Sequence, residues 1–127
     1  MLTQSEAAQL ACGKWSLRVI GVAHTKGFAS GTHLSLHFAD HGKLLGAASE
    51  AEYLSRADVF LGAPRPAGVA ECHRSKGDIV RFSHATQEYG VLSATGHIRS
   101  YYLPEAIWHH ESSNAVYFCK ECLKARK

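Results

Sequence analysis

The breaker Pro64-Arg65-Pro66 divides the chain into two stretches whose apolar residues repeat with different periods. Proline has a fixed φ and no amide donor, so neither a helix nor a central strand runs through this point. Before it the spacing is helical. After it the spacing is that of short strands, and this order limits the chain to an α+β fold, helices first and then a sheet. A length of 127 residues fits one domain, 1–127, with a core large enough to need no staples.

In the earlier stretch Leu2, Ala7, Leu10 and Ala11 predict a short helix over 1–12, and Trp15, Leu17 and Val19 predict a strand over 15–23. Glycines and serine over 27–31 predict a loop. A helix is predicted over 32–45, capped by Ser30 or Thr32, with Leu34, Phe38, His41 and Leu45 on one face and His37 alongside. The next helix opens on the capping box Ser49-Glu50-Ala51-Glu52, carries Leu54, Ala57, Phe60 and Leu61, and stops at Gly62.

Four alternating runs follow, over 69–74, 78–82, 89–92 and 97–103, and Pro104 ends the last. Their joins, Lys76-Gly77, residues 85–88 and Ala94-Thr95-Gly96, have hairpin lengths, which predicts an antiparallel meander. The remainder, 105–127, does not choose between a helix and a fifth strand. Alternation sends Val80 and Phe82 to one face of the sheet and Ile79, Arg81 and Ser83 to the other. On the last strand Tyr101 and Leu103 alternate with Ile98, Ser100 and Tyr102. Helices are expected to cover the more apolar face, leaving Arg81, Ser100 and Tyr102 on an open polar face.

The net charge of +3 is too small to imply nucleic acid by itself, although Lys120, Lys124, Arg126 and Lys127 make the tail basic. No apolar run approaches the ~18 residues of a membrane span. The first residues lack a basic segment followed by an apolar stretch, so no signal peptide is expected and a cytoplasmic location is. Cysteines stand at 12, 72, 119 and 122. The plain reading is reduced thiols; the competing one is a zinc-stabilised binding module built from Cys119, Cys122 and a histidine such as His109.

One run of short patterns stands out. His37-Phe38-Ala39-Asp40-His41-Gly42 leads to Ser49-x3-Tyr53-Leu54-x2-Ala57-x2-Phe60-Leu61. Beyond the prolines come Arg74-x2-Gly77-Asp78-Ile79-Val80-Arg81-Phe82, Tyr89-Gly90-Val91-Leu92 and Gly96-His97-Ile98-Arg99-Ser100-Tyr101-Tyr102-Leu103-Pro104. Over residues 34–104 this resembles the ribonuclease toxins grouped with barnase, EndoU, colicin D and RelE. It is nearest to the tRNase domains that end colicin D and contact-dependent-inhibition proteins. The resemblance implies that His41 takes the place of the catalytic histidine, and that Ser100 and Tyr102 match a Ser-x-Trp at the end of the sheet. The lysines preceding that histidine are absent, since this chain reads Phe38-Ala39-Asp40.

Metal-independent RNA cleavage uses the 2′-hydroxyl as nucleophile on the adjacent phosphate. It needs a base for that hydroxyl, an acid for the departing 5′-oxygen, and cations for the phosphorane. Histidine can do either proton transfer near neutral pH, and arginine holds phosphate through its planar fork. The expected catalytic set is His41, Arg81, Ser100 and Tyr102, with His37, Arg74, Lys76 and Arg99 binding substrate. No metal or organic cofactor is expected. The implied partners are RNA, tRNA by the resemblance, and an immunity or antitoxin protein. A non-catalytic module of the same fold, binding RNA or a protein, is the alternative, and the missing lysines favour it.

Overall fold

The computed structural model describes residues 24–124, so the helix expected over 1–12 and the strand over 15–23 lie outside the described residues. The first helix, α1 (Gly31–His37), is capped by Ser30, whose Oγ accepts from the His33 amide at 3.1 Å. It does not continue as an α-helix to residue 45. At Phe38–Gly42 it widens into a π-helical turn. Gly42 permits this, because a Cβ there would sit 2.5 Å from Phe38 Cδ1, and Gly46 at φ +76° ends the segment.

The Ser49 cap forms as expected, but the reciprocal half of the capping box shifts by one residue, since the Glu52 carboxylate accepts from the Ala48 amide at 2.7 Å. Ser49 Oγ accepts from the Glu52 amide at 3.1 Å, and α2 runs over Glu50–Gly62. Its buried stripe is Tyr53, Ala57 and Leu61, with Leu54 and Phe60 packed at its margin. The stripe lies on a four-stranded antiparallel sheet in the order β1 (Val69–His73), β2 (Ile79–Ser83), β3 (Tyr89–Leu92), β4 (Ile98–Tyr102). Gly90 faces α2; a Cβ there would press to 3.1 Å from both Leu61 methyls. A bulge opposite Val91 and Leu92 leaves Arg99 without a cross-strand partner, since Leu92 pairs with Ile98 and Val91 with Ser100. The extra residue reverses the alternation, so Ile98 joins Tyr101 on the α2 face instead of opposing it.

The open polar face expected to carry Arg81, Ser100 and Tyr102 does not form, because both sides of the sheet are covered. Arg81 lies under α2, and Ser100 and Tyr102 face the other side, with Val80 and Phe82. After a short turn of helix, α3 (Ala106–His109), the chain forms α4 (Asn114–Leu123), which decides the undetermined C-terminal stretch in favour of helix. Helices therefore flank the sheet in sequence rather than all preceding it. Phe118 of α4 stacks on Phe82 at 5.8 Å, and Ala115, Tyr117 and Cys122 pack with Val80, Phe82, Tyr89 and Val91. The two core clusters thus lie on opposite sides of one sheet. No helix among the described residues is long and apolar enough to cross a membrane.

Cys72 of β1 and Cys122 of α4 form a disulfide, so the reading of reduced thiols fails for these two. Alternation turns Cys72 toward the α4 side, and Cys122 is the last apolar position of the helix stripe, which brings the pair together. Such bonds persist in oxidising compartments. The bond closes a loop of 50 residues, and reducing it should cost roughly 2–4 kcal/mol. Urea melts with and without reductant would measure this; coincident midpoints would show that the bond contributes nothing.

Candidate functional site

His33, His37 and His41 follow one another every four residues along α1 and its π-turn. The His37 and His41 ring centroids are 5.8 Å apart. Each ring is stacked on an aromatic that the fold holds in place. His37 lies 5.2 Å from Phe28, itself stacked on the buried Tyr53, and His41 lies 5.0 Å from Tyr102 of the edge strand β4. Phe28 is anchored by backbone bonding at that edge, where the Ile98 amide donates to the Gly27 carbonyl at 2.8 Å. The histidine pair is therefore clamped between two rings at one margin of the sheet.

Both histidines titrate below the ordinary value. Burial is the main cause for each; for His37 the neighbouring His41 and His33 add to it, and Asp40 opposes the shift in both. Two adjacent imidazoles that resist charging will take up a proton most readily beside an anion. Tyr102 is the reverse case. Burial first, then its bond to the Tyr117 hydroxyl at 2.7 Å, pushes its phenol far up, so it stays protonated.

Beside His37 the surface opens into a cleft of about 390 Å³ lined by His33, His37, Ser93, Thr95, His97 and Arg99, with Phe28 and Ile98 at its back. Among the described residues, no carboxylate lines it. Ser93, Thr95 and His97 are linked along the β3–β4 turn, Ser93 Oγ to Thr95 Oγ1 at 2.8 Å and Thr95 Oγ1 to His97 Nδ1 at 3.1 Å. Arg99, the bulged residue, is half exposed, and its nearest acid is Asp78 at 3.9 Å. Imidazoles, a guanidinium and hydroxyls converging without an acid make an anion-binding surface.

His41, Tyr102, His37 and Arg99 are thus brought to one region. Ser100 shares the α4 face of β4 with Tyr102, opposite Val91, but neither Ser100 nor His41 lines the cleft itself. Arg81 stands elsewhere. Its side chain is buried on the α2 face, where Nε donates to Glu71 at 2.7 Å and Nη1 to the carbonyls of Phe60 and Ala63 at 3.0 and 2.7 Å. Alternation did separate Arg81 from Val80 and Phe82, yet that face is the one under α2, and the guanidinium caps the end of the helix. Arg74 is buried too, bonded to Asp78 at 3.3 Å and to Glu121 at 3.4 Å, where it ties the β1–β2 turn to α4. Neither arginine is free to meet a phosphate. Lys76 remains exposed on its turn, whose Gly77 abuts Ala94 of the β3–β4 turn, at the cleft end of the sheet.

The zinc reading loses its ligands. Cys122 is spent in the disulfide, and His109 accepts from the Glu111 amide at Nδ1 (3.0 Å) while its Nε2 meets Asn114 Oδ1 at 2.8 Å. Among the described residues no three His, Cys, Asp or Glu side chains are grouped for a metal. Sequence reasoning missed His33 and His97 as cleft residues. Their signal was spacing, four residues before His37 and two before Arg99. It also missed the aromatic layer behind Tyr102, made of Tyr89, Trp108 and Tyr117. No protein-family model and no curated protein matches this chain.

Proposed function

We propose that the chain is a small endoribonuclease of the bacterial toxin type, cleaving RNA by attack of the 2′-hydroxyl on its own phosphodiester. The observation that carries this reading is the pair of half-buried imidazoles, 5.8 Å apart, beside an acid-free cleft with an arginine. Transesterification needs two proton transfers around one phosphate, and two neighbouring histidines supply both. In this reading neutral His41 removes the 2′-hydroxyl proton, and His37, charged once the phosphate is bound, protonates the leaving 5′-oxygen. Arg99 takes the place of the absent lysines on the nonbridging oxygens. Tyr102 keeps His41 in position and can donate only a hydrogen bond. tRNA is the substrate that the family resemblance favours, with an immunity or antitoxin protein as the natural partner.

The run Phe38-Ala39-Asp40, which lacks the lysines that precede the histidine in colicin D, favours the second reading, a non-catalytic RNA- or protein-binding module of this fold. Incubation with total RNA in excess chelator separates the two. Discrete fragments are expected; RNA left intact across a range of pH would support the binding module.

The pH profile is a further expectation. A base fails as pH falls through its pKa and an acid fails as pH rises through its own. Both histidines lie below the ordinary 6.5, so kcat/KM should form a bell on the acid side of that value. Bound phosphate raises both pKa values, so the kcat profile should lie at higher pH than the kcat/KM profile. A kcat/KM maximum above pH 7 would contradict the assignment.

A further inference from the structure

We infer that the indole of Trp108 is a stacking platform for an unpaired nucleobase adjoining the phosphate at His37 and His41, which makes looped or single-stranded RNA the substrate class. The inference rests on the ribonuclease reading of that site. Tryptophan is usually well buried, yet Trp108 is 46 % exposed, on a four-residue helix beside Ile107. Its position is nevertheless fixed. The ring is tilted against Tyr102 at 5.9 Å and meets Tyr117 and His109 edge-on at 5.5 and 5.3 Å. His109 is in turn stacked on Tyr117 at 4.6 Å and bonded to Asn114, so α3 cannot swing without breaking contacts with α4.

Tyr102 joins the two parts of the site. Its ring contacts both Trp108, at 5.9 Å, and His41, at 5.0 Å, so a single ring links the exposed indole to the imidazole. A nucleotide seated there would place its phosphate at the histidines and its base on the tryptophan. The anion-binding cleft begins at His37 and reaches His97 and Arg99, offering a path for a neighbouring phosphate. An aromatic platform followed by a cationic groove is the arrangement that holds single strands, because stacking accepts any base and the groove follows the backbone. A duplex offers no free base face, so pairing should exclude the substrate from the platform.

The chain has two tryptophans, Trp15 and Trp108. In a Trp15→Phe background, Trp108 emission reports directly on stacking. The probe is a short 2′-O-methyl oligonucleotide, which the proposed chemistry cannot cleave, offered single-stranded and as a duplex. Saturable quenching by the single strand and little by the duplex is expected. Trp108→Ala should weaken single-strand binding about 10- to 100-fold, and Trp108→Phe should retain most of it. A circular dichroism melt establishes that each variant is folded; should Trp108→Ala not fold, the Phe variant and the quenching carry the test. Unchanged affinity in Trp108→Ala, or equal quenching by duplex, would overturn the platform. Quenching by the single strand without cleavage of ordinary RNA would keep the platform and reject the ribonuclease reading. Cleavage with an unaltered KM in Trp108→Ala would do the opposite.

Discussion

Replacing His41 with alanine should lower RNA cleavage by roughly 10²–10⁴-fold, the share that a positioned general acid or base contributes. His41 is only partly buried, in a π-turn at the sheet margin, and alanine has the higher helix propensity, so the fold should survive. The ring does stack on Tyr102, and a modest drop in melting temperature from that loss is expected. The limbs of the pH profile then separate the two histidines. His41→Ala should remove the acid limb and His37→Ala the alkaline limb, each leaving a residual slow reaction governed by the other residue. Toxicity on bacterial expression should fall in step with activity. A folded His41→Ala protein that cleaves at the wild-type rate would remove the residue from the mechanism.

Arg81→Ala should do the reverse. Its guanidinium is buried and bonds one carboxylate and two carbonyls at the end of α2, so truncation removes the donor of those carbonyls and one of the two partners of Glu71. Leaving the Phe60 and Ala63 carbonyls without their donor, and the partly exposed Glu71 with His73 alone, should cost about 1–3 kcal/mol. Glu71 shows the strength of the arrangement. Burial works to raise its pKa, yet the bonds from Arg81 and His73 hold it below the ordinary carboxylate value. Urea denaturation of the variant should show the loss, whereas the cleavage rate per folded molecule should match wild type. A stable Arg81→Ala protein with depressed activity would return Arg81 to the catalytic set.

The contrast between these residues shows what the sequence can carry. Ser49 with Glu52, the hairpin-length joins and the alternation of Val80 and Phe82 are local rules, and each holds in the structure. Arg81 was also assigned to the correct side of β2. Its fate depended on which side α2 would choose, and α4 was the missing term. That helix rests on Ala115, Phe118 and Cys122, too short a stripe to separate from a strand by period alone. The bulge at Arg99 was equally hidden, because nothing local distinguishes an extra residue from a regular one in a five-residue strand. It is nonetheless what reverses the alternation at the edge strand and leaves Arg99 beside the histidines. The histidine pair was legible from spacing. Trp108 was not, because its placement depends on Tyr117 and His109 meeting across the α3–α4 junction.

The chemistry of the cleaved ends tests the central claim most directly. In excess chelator, wild-type protein should leave a 2′,3′-cyclic phosphate on one fragment and a 5′-hydroxyl on the other. A single 2′-deoxy substitution at the cleaved nucleotide should abolish the cut. Fragments bearing 5′-phosphates, or cleavage that survives the deoxy substitution, would contradict attack by the 2′-hydroxyl and with it the roles given to His37 and His41.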